Sequence, residues 1–157
     1  MDVKFINPFV EGVDSVFSAM LSLRPKRLSV RISQGSGGTS SLTALIGISG
    51  EMHGVVVMRF PPATAIGLAG RMRGSTVDSV NAEVIDAVAE LVNMVAGSAK
   101  AKFDYDPPLQ LGLPTVVEGE QYRVKYPSKS VWLEVPFDSE AGQFSMEITF
   151  GPEKVSL

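Results

Sequence analysis

Asp86, Glu90 and Asn93 are spaced four and then three residues apart, within the longest uninterrupted helical pattern of the chain, residues 80–102. In a helix that spacing stacks the three side chains on one face, and Gly97 continues the stripe a turn further on. A carboxylate and an amide one turn apart suit a particular kind of chemistry. The amide oxygen accepts a hydrogen bond from water while its NH2 donates one. Asn93 could therefore fix a water for attack without bringing negative charge near a phosphoryl group, as the glutamine of GTPases does. The Glu90 carboxylate could pair with a lysine or arginine of a partner and fix its docking. Neither residue is a nucleophile or a strong base. The pair helps only a reaction whose electrophile and metal are supplied elsewhere.

Spacing alone is equally met by a solvated face, because the polar residues of an amphipathic helix must lie somewhere. Three details argue for more. Asn is a poor helix former, and Asn93 sits mid-helix, far from a cap. No Lys or Arg lies between Asp86 and Gly97, so the stripe lacks the interleaved pairing of an ordinary solvated face. Its neighbours Ala82, Ala89, Ala96 and Gly97 are small, so another surface can come close.

Composition removes several other classes. With 157 residues, 45% hydrophobic and 20% charged, the chain is expected to form one globular domain, 1–157. A net charge of -3 gives no electrostatic footprint for nucleic acid. The absence of Cys excludes disulfides, thiolate metal sites and a thiol nucleophile, and agrees with a cytoplasmic address. His53 is the single histidine, which argues against a histidine base or a multi-His metal cage. The first residues carry no apolar run of signal-peptide length, and no stretch approaches the roughly 20 apolar residues of a membrane span.

The elements that must position the stripe follow from periodicity. Residues 7–21 read as a helix with Asn7 as N-cap, Pro8 at the first helical position, and an apolar stripe of Phe9, Val13, Val16, Phe17, Met20 and Leu21. Residues 27–33 alternate Leu28, Val30 and Ile32 with polar residues, as a half-buried strand does. Residues 34–41 form a flexible loop. Its glycines resemble a phosphate cradle only superficially, with no Walker lysine and no helix opening behind them. Residues 42–48 and His53–Phe60 make a hairpin, Pro61 and Pro62 end it, and 63–73 form a short helix closed by Gly74. Asp78 or Ser79 is expected to cap the long helix, with Ile85, Val88, Leu91, Val92 and Val95 facing the core. A loop over 103–112, broken by Pro107 and Pro108, leads to a short strand at 113–117. Residues 131–137 and 143–150 then form a second hairpin around the turn 138–142.

The two halves echo each other, each reading helix, connector, hairpin. Asn7, Glu11 and Asp14 repeat the offsets of Asp86, Glu90 and Asn93. The expected fold is α+β, with two long helices packed on a mostly antiparallel sheet and an internal duplication of the helix–hairpin unit.

At DAVAELVN, residues 86–93, the chain resembles the CheC/CheX/FliY family of chemotaxis phosphatases, its CheX branch most closely. The family motif is Asp or Ser, three residues, Glu, two residues, Asn, and later a proline. ELVNMVAGSAKA, GLPTVVEG, FINPFVEGV and ISGEMHGVVVMRFP extend the likeness over nearly the whole chain. The fold would then be CheC-like. The resemblance implies hydrolysis of the aspartyl phosphate on the receiver domain of a CheY-type response regulator. Asn93 would orient the attacking water, Glu90 would engage the receiver's lysine, and Asp86 would support the surface or the contact. The chain would carry no cofactor of its own, and Mg2+ would come from the receiver. Here 20 residues separate Asn93 from Pro114, slightly fewer than the family spacing, and Pro114 is read as structural. Asp14 stands where a second active copy would need Asn, so the first-helix copy is read as inactive. Relatives of this kind are homodimers joined through their sheets, and a dimer is expected. The rival reading is a non-catalytic adaptor that binds a receiver domain, or a motor or signalling component, through the same helix. A stand-alone small-molecule enzyme is poorly supported, since no cofactor loop is recognisable.

Overall fold

The structure, a computed structural model, describes residues 3–33, 36–37, 41–119, 123–124 and 131–152. A 3-10 turn at Val3–Phe5 leads directly into helix α1, Ile6–Leu21. The expected N-cap, Asn7, therefore lies inside the first turn, and Phe5 occupies the cap position without a side-chain bond. Pro8 is tolerated there because first-turn N–H groups have no intrahelical acceptor. Burial decides the start: Ile6 is fully buried, and Phe5 packs its ring against Phe103 and Phe150.

Strands β1 (Lys26–Arg27), β2 (Arg31–Ser33), β3 (Ser36–Gly37), β4 (Ser41–Ser49) and β5 (His53–Phe60) follow. Helix α2 (Pro62–Arg73) ends at Gly74 in the left-handed conformation, as expected. Helix α3 (Ala82–Lys100) is followed by β6 (Gln110–Leu111), β7 (Thr115–Gly119), β8 (Arg123–Val124), β9 (Trp132–Asp138) and β10 (Phe144–Gly151). The glycine-rich stretch expected as a loop contains β3, which pairs with β8, while residues 34–35 and 38–40 lie outside the described residues.

The main sheet is antiparallel throughout. Hairpins β4–β5 and β9–β10 meet at its centre, where β5 pairs with β10. Beyond them the outer strands are exchanged: β1 and β2 pair with β9, while β6 and β7 pair with β4. The arrangement is two-fold about the β5–β10 seam, so the expected duplication is visible in the topology. Helices α1 and α3 pack against each other, with Gly12 so close that a Cβ there would lie 2.9 Å from the Val95 carbonyl oxygen. α1 covers β10 through Phe9 on Phe150 and Phe17 on Phe144, and α3 lies over β4. α2 is a third core helix, burying Thr64, Ala65, Leu68 and Ala69.

Residues 27–33 do not form one half-buried strand. Arg27 faces Phe137 but Arg31 faces Glu134, so four steps along this strand answer three along β9. One extra residue is accommodated as a bulge, opposite the stretch where Pro136 has no N–H to offer. A one-residue slip moves later side chains to the other face. Leu28, Val30 and Ile32 therefore share no buried face and are exposed, Ile32 at 76%. The other outer strand repeats the device: Leu111 faces Ile48 and Thr115 faces Leu45, again four steps against three.

The sheet face opposite the helices carries a buried polar cluster. Arg59 donates from Nε to Glu147 Oε1 at 3.2 Å and from a terminal nitrogen to Thr43 Oγ1 at 3.1 Å.

Candidate functional site on helix α3

Helix α3 is set in place at its entrance by Asn81. Its side-chain oxygen accepts the Val84 backbone N–H at 3.1 Å, so Asn81, not Asp78 or Ser79, is the N-cap. Val80 and Ile85, at the flanking positions of a hydrophobic staple, both pack against the core. Glu83 in the first turn and Lys100 in the last suit the helix dipole. Val84, Ala87, Val88, Leu91, Val92, Val95, Ala96 and Ala99 are buried; of the expected core positions only Ile85 is half-buried.

The opposite face carries the stripe. Asp86, Glu90 and Asn93 are all exposed, and Gly97 one turn on is half-buried. A Cβ at Gly97 would meet nothing within 4 Å, so packing within the chain does not require glycine there. Among the described residues, none of the three polar side chains takes part in an ion pair or a side-chain hydrogen bond. They point outward from a core-anchored helix with their bonding capacity unspent.

The related triple on α1 differs. Asn7, Glu11 and Asp14 are also exposed. Glu11, however, is held in an ion pair by Lys102, just past the end of α3. Both the charge at Asp14 and this pairing distinguish α1 from the stripe on α3.

His53 starts β5 on the sheet face turned away from the helices, in register with Gly151. It plays no part in the stripe. Among the described residues no group of three or more His, Cys, Asp or Glu is arranged to hold a metal ion. No helix among the described residues is long and apolar enough to cross a membrane. A groove of about 450 Å3 runs along α2 and the segment after it, lined by Arg71, Ser75, Thr76 and several glycines, and no residue of the stripe lines it.

The model of the family described as chemotaxis phosphatase CheX matches residues 42–138, which span β4 to β9 and include the stripe. The chain belongs to the CheX family. Among CheX relatives, the CheY-P phosphatase CheX of Thermotoga maritima is 27% identical over 138 residues, covering 87% of this chain and 88% of its own length. The solved chemotaxis protein CheX from Vibrio vulnificus superposes with a TM-score of 0.84 at 28% identity, over 95% of this chain and 100% of its own. The same fold recurs in a CheX–CheY–BeF3–Mg2+ complex from Borrelia burgdorferi, with a TM-score of 0.70 at 20% identity, over 95% of this chain and 99% of that one. The CheX fold is thus the α+β architecture anticipated from the sequence, with a third helix on the sheet.

The connector before β7 also departs from expectation. The strand expected at 113–117 begins at Thr115, and Leu113 stands 89% exposed. Sequence reasoning assigned this residue no role beyond a strand. Its only signal is its place between Gly112 and Pro114.

Proposed function

We propose that the chain hydrolyses the aspartyl phosphate of a CheY-type response regulator, ending a chemotaxis or related two-component signal. The observation that carries this reading is the stripe: a carboxylate and an amide, exposed and unengaged, on one face of an anchored helix in a CheX-family chain. Asn93 enters the receiver's phosphorylation site and orients a water. The water oxygen attacks phosphorus, the bond from phosphorus to the aspartyl oxygen breaks, and the carboxylate leaves with the electron pair. The products are free Asp, inorganic phosphate and a proton passed to solvent. Glu90 pairs with a receiver lysine and fixes the approach, while Asp86 supports that contact and Gly97 leaves room for it. Catalysis comes from positioning, as in other phosphoryl transfers. Mg2+ belongs to the receiver, in keeping with the metal named in the Borrelia complex.

The same reading takes 1–157 as one domain that works in the cytoplasm, where receivers act, and as a homodimer. Two sheet-edge features support the dimer: an outer strand with no further neighbour among the described residues, and the exposed Leu28, Val30 and Ile32 along it.

The test is the decay of phosphorylated receiver with and without the protein, alongside the Asn93→Ala variant. Decay that is accelerated by the wild type and not by the variant establishes activity and site together. Binding without acceleration moves the assignment to an adaptor.

A further inference from the structure

We propose that Leu113 is an apolar anchor for the receiver docked on Glu90 and Asn93, an inference that rests on the function just assigned to that face. α1 lies against Val95 and Ser98 of α3 at Gly12. At 100° per residue, these two positions lie about 200° and 140° round the helix from Asn93. Asn93 is therefore turned away from α1. α1 covers β10 and α3 covers β4, in a sheet ordered β10, β5, β4, β7. The side of α3 away from α1 is the margin formed by β6, β7 and the segment between them.

Height along the helix agrees. Phe103, three residues past α3, packs on Phe150, which pairs with Gly54, itself opposite Ile48. The end of α3 and the end of β4 thus lie at one level. Asn93 is seven residues, about 10 Å, before the end of α3. Gly47 is two residues, about 7 Å, before the end of β4. Beside Gly47 runs Gly112, whose N–H donates to the Gly47 carbonyl at 2.9 Å. Leu113 follows at once. It stands at the level of Asn93, on the side to which Asn93 turns.

The segment is also held still. β6 and β7 both pair with β4 on either side of it, Pro114 restricts the residue before it, and Leu113 falls in the bulge that re-aims the strand. A leucine exposed singly on a surface needs no explanation. A leucine presented 89% exposed by a fixed bulge beside a docking face offers preformed apolar area at little ordering cost. The matching partner feature is an apolar patch on the rim of the receiver's phosphorylation pocket.

The experiment measures dephosphorylation as a function of receiver concentration, using CheY-type receivers of the same organism phosphorylated with acetyl phosphate. Leu113→Ala should raise KM roughly tenfold, as loss of one buried anchor does, with kcat at saturation unchanged. Leu113→Met should restore KM. Met20→Ala, at an exposed apolar residue on α1, should leave it unchanged. Unfolding temperatures should match the wild type, because Leu113 supports no core. An unaltered KM in Leu113→Ala overturns the anchor while leaving the phosphatase standing. If the wild type accelerates no receiver, the functional reading fails, and binding of the BeF3-activated receiver decides the anchor alone. Weaker binding by Leu113→Ala supports it, and equal binding overturns it.

Discussion

Replacing Asn93 with Ala should lower activity and raise stability in the same protein. The Asn93 side chain is exposed and makes no side-chain hydrogen bond among the described residues, so its removal opens no cavity and orphans no partner. In a helix interior Ala is favoured over Asn by about 0.6 kcal/mol. For a chain of this size that corresponds to a rise in Tm of about 1–2 °C. The loss in turnover is of another order. Removing one positioning group costs roughly 10²-fold, about 2.7 kcal/mol of transition-state stabilisation. Rapid-quench decay of phosphorylated receiver gives the first quantity and calorimetry the second. Turnover within about threefold of wild type, under 1 kcal/mol, refutes the water-orienting role. A Tm that falls by several degrees refutes the premise that the side chain is free of structural duty. Asn93→Asp sharpens the comparison, because it keeps the shape but replaces the NH2 donor with a charge that repels the phosphoryl group. It should be as inactive as the Ala variant.

Glu90→Lys should weaken receiver docking through like-charge repulsion, read as a higher Kd for the BeF3-activated receiver; an unchanged Kd counts against the lysine contact. Asn81→Ala should cost about 1 kcal/mol, lowering Tm by about 2–4 °C, whereas Asp78→Ala and Ser79→Ala should leave Tm nearly unchanged. Equal effects at the three positions would mean that Asn81 is not the cap. Ile32→Asp should shift the chain from dimer to monomer in sedimentation while the helix content holds; a dimer that survives it places the interface elsewhere.

Much of the architecture was legible because it rests on local periodicity. The hairpin strand His53–Phe60, the core face of α3 and the left-handed Gly74 all follow from spacing and residue type. So did the stripe, since a helix that buries Val88, Leu91, Val92 and Val95 must expose Asp86, Glu90 and Asn93. The misreadings share a different cause. Asn7, Asp78 and Ser79 are all good capping residues, but the caps were decided by which flanking apolar residues reach the core: Ile6 and Phe5 for α1, Val80 for α3. Residues 27–33 alternate faultlessly, yet their burial depends on a bulge against β9, over a hundred positions away in sequence. Leu113 failed for the same reason. Only its distant partner β4 determines that the chain bulges there and turns a leucine to solvent.

The exchange of outer strands has a consequence for how the molecule comes into being. Arg31 bonds Glu134 across 103 residues at 2.7 Å, tying the first half's edge to the second half's hairpin. β7 ties the second half's edge to β4 in return. Neither half can close its own sheet, so a partial chain presents a bare hairpin to whatever is nearby. Long-range pairings of this kind form late and slowly. The halves are therefore interdependent in folding: each remains open at the edge until the other arrives, and loss of either outer strand loosens the hairpin of the opposite half.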